Sequence, residues 1–150
     1  GIEMESGEPN KSNHLKGKID ARINNDLLIE MDELKTIISK GKNYILIDSR
    51  SPERYKGLIE PYDKIPGRIP TSINIFFKDV MNENRIKEIE DLKKVYNNID
   101  SDKMIIAYCG SGVTAPINIV AMDEVGLYSR LYLGSYSDYV SYKDNVIEKD

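Results

Sequence analysis

The chain has one cysteine, one histidine and no tryptophan. A single thiol excludes any disulfide within the chain, and with a single imidazole it excludes structural zinc sites built from four cysteines or from paired cysteines and histidines. No metal or other cofactor is expected. Positive charge is not in excess either: 21 Lys and Arg stand against 25 Asp and Glu, a formal net charge of −4, so no nucleic-acid partner is expected. Long apolar runs are missing. The longest, such as Met104 to Tyr108, reach about five residues against the ~20 a bilayer span needs, so no membrane partner is expected. No stretch reads as a secretory leader, and one cysteine fits a reducing, cytoplasmic compartment. What is present is the composition of one soluble globular domain: 150 residues, 40% hydrophobic and 31% charged, with ten Tyr and six Pro.

Residues 1–25 are polar, rich in turn formers and without sustained periodicity, which predicts a linker or tail. From Leu27 onward helical and strand patterns alternate, the mark of an α/β fold with a parallel sheet covered by helices. Met31, Leu34, Ile37 and Ile38 predict an amphipathic helix that stops at Gly41. Tyr44-Ile45-Leu46-Ile47 reads as a buried strand ended by Asp48-Ser49-Arg50. Residues 51–71 carry four prolines and read as loop, followed by a short strand at 72–76. Ile86, Ile89, Leu92 and Val95 predict a surface helix. Met104-Ile105-Ile106-Ala107-Tyr108 is a second buried strand, and it runs into Cys109-Gly110-Ser111-Gly112-Val113-Thr114. A helix over about 114–124 is expected to turn Ile117, Val120 and Ala121 inward and to stop at Gly126. A last short strand is expected over 130–133.

The strand, Cys109 and the following helix form the chemically loaded feature. Ligands of open parallel sheets bind at the carboxyl ends of strands, where Cys109 falls. Gly110 and Gly112 let successive backbone N–H groups turn toward one point. The helix N-terminus there favours a thiolate, and Ser111 and Thr114 add hydroxyl donors, so the loop is a cradle for an anion carried on, or presented to, Cys109. The alternative is an inert core cysteine, since free Cys is among the most buried residue types. His14, the only imidazole, lies in the N-terminal stretch, so a Cys-His dyad would require that tail to fold back. A cysteine phosphatase uses a similar cradle but places an Arg six residues after the nucleophile, where this chain has Ala115.

These residues resemble the rhodanese (sulfurtransferase) family. The loop from Cys109 to Ala115 resembles its active-site loop. Leu46-Ile47-Asp48-Ser49-Arg50 with Arg54-Tyr55-Lys56-Gly57 is similar to its strand-end motifs. Gly67-Arg68-Ile69-Pro70-Thr71-Ser72-Ile73-Asn74-Ile75 and Leu133-Gly134-Ser135-Tyr136-Ser137-Asp138-Tyr139 resemble two further signatures. The resemblance implies a rhodanese-like fold, with a central parallel sheet of about five strands and helices on both faces. It implies a catalytic domain over residues 26–150, preceded in the parent protein by another rhodanese-like domain.

The activity implied is transfer of a sulfane sulfur from thiosulfate or 3-mercaptopyruvate to cyanide or a thiol acceptor, through a persulfide on Cys109. Gly110, Ser111, Gly112, Val113 and Thr114 correspond to the persulfide-holding loop, Arg54 and Arg50 to donor binding, and Asp48 to ordering of the site. For Arg50 and Arg54 the alternative is a surface ion pair with Glu53 or Asp63. The mercaptopyruvate branch carries a second Arg about nine residues after the first, where this chain has Asp63. Arg68 stands where the family commonly has His and reads as a solvated side chain, the alternative being a compensating donor contact. Tyr132, Tyr136, Tyr139 and Tyr142 read as half-buried, with hydroxyls in water. The other class of function is a catalytically silent, partner-binding module.

Overall fold

A computed structural model of the chain describes residues 17, 18, 20, 24–41 and 43–150. His14 and most of the stretch read as a linker lie outside the described residues. The elements follow as β1 (Leu28–Ile29), α1 (Met31–Lys40), β2 (Tyr44–Asp48), α2 (Pro52–Tyr55), β3 (Ile73–Asn74), β4 (Met81–Asn82), β5 (Arg85–Ile86), α3 (Ile89–Val95), β6 (Met104–Tyr108), α4 (Ala115–Asp123), β7 (Ser129–Tyr132) and α5 (Ser135–Ser141). Five parallel strands form the sheet in the order β1-β7-β6-β2-β3, and β4 and β5 form a separate antiparallel hairpin. β6 is the middle strand. It pairs with β2 along its whole length, from Met104 opposite Tyr44 to Tyr108 opposite Asp48.

Side chains alternate across a strand, and β6 is apolar on both sides because both sides are covered. Ile105, Ala107 and then Cys109 join the core layer that holds Leu92, Ala115, Ala121 and Met122 of α3 and α4. Ile106 and Tyr108 join the opposite layer, with Leu34 of α1 and Tyr136 and Tyr139 of α5. The thiol's direction is therefore set by strand parity: Cys109 continues the row that faces α4.

Several elements depart from the sequence pattern. Ile86 belongs to the hairpin rather than to a helix, because the chain reverses at Glu83 with φ +53 and α3 starts only at Ile89. Val120 is half exposed; Ala115, Asn118, Ala121 and Met122 are the buried residues of α4. The strand expected over 72–76 contracts to Ile73–Asn74, since the chain turns into a 3-10 helix at Phe77–Val80. Two short helices form where the sequence pattern predicts none: α2, opened by Pro52 in its first turn, and α5, whose Tyr136 and Tyr139 are buried one turn apart.

Tyr132, Tyr136 and Tyr139 are buried, not half-buried, and their hydroxyls donate to Asp138 Oδ2, the Ile65 carbonyl and the Val146 carbonyl. Tyr142 alone of the four is exposed. Arg68 is likewise buried rather than solvated, paired with Glu148 and Asp150. Among the described residues no helix is long and apolar enough to cross a membrane.

Asn118 fastens α4 to the strand ends. Its Nδ2 donates to Ser49 Oγ at 2.9 Å and to the Ile75 carbonyl at 2.9 Å, while its Oδ1 accepts from the Tyr96 hydroxyl at 2.7 Å. Replacing it removes the donor to the buried Ser49 hydroxyl and to the Ile75 carbonyl and leaves the buried Tyr96 hydroxyl only the residue-118 carbonyl, at 3.3 Å. Asn118→Ala is expected to lower stability by about 2 to 4 kcal/mol in urea unfolding, whereas Asn98→Ala on the exposed surface leaves it nearly unchanged.

Candidate active site

Cys109 follows directly on β6, at the carboxyl edge of the sheet, and its side chain reaches the start of α4. The Thr114 N–H donates to Cys109 Sγ at 3.4 Å. Pro116 in the first turn of α4 has no N–H, so the free amides at this helix start are those of the loop and of Ala115. Burial pushes the Cys109 thiol up, but the Thr114 hydroxyl and the backbone amides of Ala115, Thr114 and Ser111 together outweigh it. The thiol sits below its ordinary value.

The two glycines of the loop serve different ends. Gly112 takes φ +78, and a Cβ there would lie 2.5 Å from the Leu133 carbonyl oxygen. At Gly110 a Cβ would press on the Arg54 guanidinium, 3.2 Å from the nearer nitrogen. One glycine makes the turn, and the other leaves room for the arginine.

α5 braces the loop from behind. Tyr136 N–H donates to the Cys109 carbonyl and Ser137 N–H to the Gly110 carbonyl. Cys109 N–H donates to Ser135 Oγ at 3.1 Å, and that hydroxyl lies 4.0 Å from Sγ. Ser135 holds a positive φ of +56, a conformation that costs a side-chain-bearing residue free energy. The resemblance covered Ser135 only as part of a signature; its hydroxyl's contact with Cys109 is a tertiary fact.

The charged groups form one chain. Asp48 is fully buried and accepts from the Arg50 backbone N–H, Nε and Nη2. Glu60 Oε2 accepts from Arg50 Nη1 and Arg54 Nε, both at 3.1 Å, and its Oε1 accepts from Arg54 Nη2 at 2.7 Å. Burial pulls the Arg50 guanidinium down, but Asp48 more than restores it, so the net shift is upward. Arg50 also donates to the Gly67 carbonyl and lies over the Tyr136 ring, 3.9 Å from its centroid.

The expectation that Arg50 binds a donor is corrected by this geometry. Its side chain is 1% exposed and each of its three nitrogens is engaged with protein acceptors. Neither arginine pairs with Glu53, and Arg54 meets the expected Asp63 only at 4.0 Å; the acid both share is Glu60, which no sequence motif marked. The only hint was an acid among apolar residues, Leu58-Ile59-Glu60-Pro61.

Arg54 does open outward, beside Gly110 and under the Tyr62 ring at 5.1 Å. Asp63 lies 4.0 Å from its Nη2 and accepts from Ser137 Oγ. A cleft of about 580 Å³ joins Arg54 and Cys109 and is walled by Tyr62, Phe76, Phe77, Ser111 and Val113. Thus Cys109, Gly110, Ser111, Val113, Thr114 and Arg54 meet around one cavity, Arg50 adds to its lining although its side chain is only 1% exposed, Gly112 shapes the loop, and Asp48 stands behind Arg50.

The arrangement can present a stabilised thiolate to a small ligand held by one guanidinium edge. In alkylation with iodoacetamide, the pH midpoint of Cys109 is expected to lie below that of a free cysteine thiol. Thr114→Val, which keeps the amide but removes the hydroxyl, is expected to move that midpoint upward.

A family model described as rhodanese-like domain matches residues 30–142. A Schizosaccharomyces pombe protein named "Probable 3-mercaptopyruvate sulfurtransferase" is 34% identical over 150 residues, 93% of this chain and 50% of that protein. The Escherichia coli 3-mercaptopyruvate sulfurtransferase is 25% identical over 138 residues, 89% of this chain and 49% of its own. The chain therefore spans about half the length of these curated relatives. Among solved structures, an anaerobic ergothioneine biosynthesis enzyme from Chlorobium limicola superposes with a TM-score of 0.74 at 19% identity, covering 83% of this chain and 32% of that one. At that identity the likeness speaks for the fold alone. The matched span runs from Glu30, ahead of α1, to Tyr142, after α5, and takes in the whole cysteine loop, so the chain belongs to the rhodanese-like domain family.

Proposed function

We propose that this chain is the catalytic domain of a sulfurtransferase, carrying a sulfane sulfur from thiosulfate or 3-mercaptopyruvate to cyanide or a thiol as a persulfide on Cys109. The observation that carries the reading is the Cys109 thiol, lowered by the Thr114 hydroxyl and loop amides, in one cleft with Arg54. The names of the relatives point the same way. A phosphatase reading lacks its Arg: the position is Ala115, which is fully buried. One unpaired thiol of this kind suits a reducing, cytoplasmic setting.

In the first half-reaction the Cys109 thiolate attacks the outer sulfur of thiosulfate. The new S–S bond forms, the donor's S–S bond breaks, and sulfite departs with its electron pair. The persulfide's terminal charge then lies among the N–H groups of the loop and the Ser111 hydroxyl. In the second, a nucleophilic acceptor attacks that terminal sulfur and the Cys109 thiolate leaves. Arg54 receives the donor's anionic end, while Asp48, Arg50 and Glu60 hold Arg54 in place.

The donor is weighed at Asp63. A second cation there would pair with a keto-acid carboxylate, and this site lacks one; the Asp63 carboxylate, 4.0 Å from Arg54, repels either anionic donor. The exposed apolar side chains near the loop, Tyr62, Val113 and Leu133, fit burial under a preceding rhodanese-like domain reached through residues 1–25.

Mass spectrometry after incubation with thiosulfate is expected to find one added sulfur atom on the wild type and none on Cys109→Ser. An unmodified wild type with both donors would overturn the proposal. Asp63→Arg is expected to raise the ratio of kcat/KM for 3-mercaptopyruvate over thiosulfate about tenfold. A protein that includes the preceding domain is expected to turn over faster than residues 1–150 in the same assay; equal rates count against the covering role.

A further inference from the structure

α2 carries Arg54 and is only four residues long, one turn with no capping side chain, too short to set its own orientation. Glu60 fixes the guanidinium end. The backbone that follows Arg54 is fixed from elsewhere, by the last residues of the chain.

Arg68 and Glu148 exchange backbone hydrogen bonds, N–H to carbonyl at 2.9 Å and 3.1 Å. Arg68 Nη2 donates to Glu148 Oε1 at 2.5 Å, and Nη1 donates to Asp150 Oδ1 at 2.7 Å and to the Tyr55 carbonyl at 3.4 Å. The same guanidinium lies 4.6 Å from the Tyr55 ring centroid. Asp150 N–H donates to the Lys56 carbonyl, and Glu148 Oε2 accepts from Thr71 N–H. The fit is steric as well as polar. A Cβ on Gly67, which has φ +137, would lie 2.5 Å from Ile147 Cγ2, and one on Gly57 would lie 3.1 Å from Lys149 Cγ. Tyr55 and Lys56, the two residues after Arg54, bond to Arg68 and Asp150, and Gly57 leaves little room for a Cβ beside Lys149.

We infer that Arg68 is a positioning residue: with Glu148 and Asp150 it fastens residues 147–150 as a strap against the end of α2, and so aims the Arg54 guanidinium into the cleft beside Cys109. The inference rests on the proposed role of Arg54 in binding the donor. An imidazole has two ring nitrogens, whereas the guanidinium fork reaches two carboxylates and the Tyr55 carbonyl together and still stacks on the ring. A side chain that is 8% exposed, with both terminal nitrogens held by carboxylates and its Nε buried without a partner among the described residues, is poorly placed to bind a donor itself. Its effect passes through backbone that carries Arg54, which makes it a positioning residue and not a catalytic one.

The test is the double variant Glu148→Gln, Asp150→Asn, which keeps the shapes and removes both charges. KM for thiosulfate is expected to rise about tenfold with kcat within about twofold, and saturating thiosulfate still places one sulfur atom on Cys109. A lowered melting temperature with KM unchanged would overturn the inference, because the strap would then serve stability alone. Should the double variant not fold, Asp150→Asn by itself, a half-exposed site, is judged by the same split. If the wild type takes up no sulfur, the sulfurtransferase reading falls on its own. The strap is then decided by the Arg54 Nε–H resonance of ¹⁵N-labelled protein, which moves in the variant if the inference holds and stays if it does not.

Discussion

The chain of charges from Asp48 through Arg50 and Glu60 to Arg54 is the constraint on which the rest of the site depends. Three of the four side chains are essentially without solvent, and burying such ions costs several kcal/mol each unless geometry and hydrogen bonds offset it. Here the offset is nearly complete, with two carboxylates against two guanidiniums and both acids accepting several N–H groups. An apolar replacement of similar volume would do as well for stability. It would not hold a cation at the mouth of the cleft. Asn74 adds to the same corner, with its Nδ2 donating to the carbonyls of Asp48 and Arg50, so the end of β2 and the start of its loop are fixed before α2 begins.

On the far side of the cleft the balance is finer. Burial alone would favour a neutral thiol, and a cysteine in the same layer as Ile105 and Ala107 would be inert. Amides aimed at the sulfur reverse that preference, and they can do so because Gly112 bends the loop and α5 supports it from behind. The lowered thiol reflects local electrostatics acting against a hydrophobic surrounding, with no imidazole contributing among the described residues.

The parts of this structure legible in the sequence are those governed by neighbours along the chain. β2 and β6 are continuous apolar runs because helices cover both sides of the sheet, and the Cys109 loop declares itself by its glycines. Tertiary partners leave no such trace. Glu60 reaches back to two arginines from a proline-rich stretch, and nothing in its spacing shows it. Arg68 reads as solvated because its partners lie 80 and 82 residues away. Tyr136 reads as half-wet because the Ile65 carbonyl that satisfies it lies 71 residues away, and Tyr139 because nothing in the sequence marks the Val146 carbonyl, seven residues on, as its acceptor. α5 did leave a signal, in Tyr136, Tyr139 and Val140 at helical spacing, but Ser and Asp between them suggest a turn.

The middle position of β6 also bears on how the chain assembles. Its two partners come from opposite directions in sequence, β2 about sixty residues before it and β7 about twenty-five after, so the centre of the sheet closes through long-range contacts that form slowly. Cys109 is the chain's one thiol, and it is shielded only once that centre has closed around it. During refolding, the rate at which this sulfur becomes protected therefore reports the pairing of the middle strands, a clock set into the protein at its one thiol.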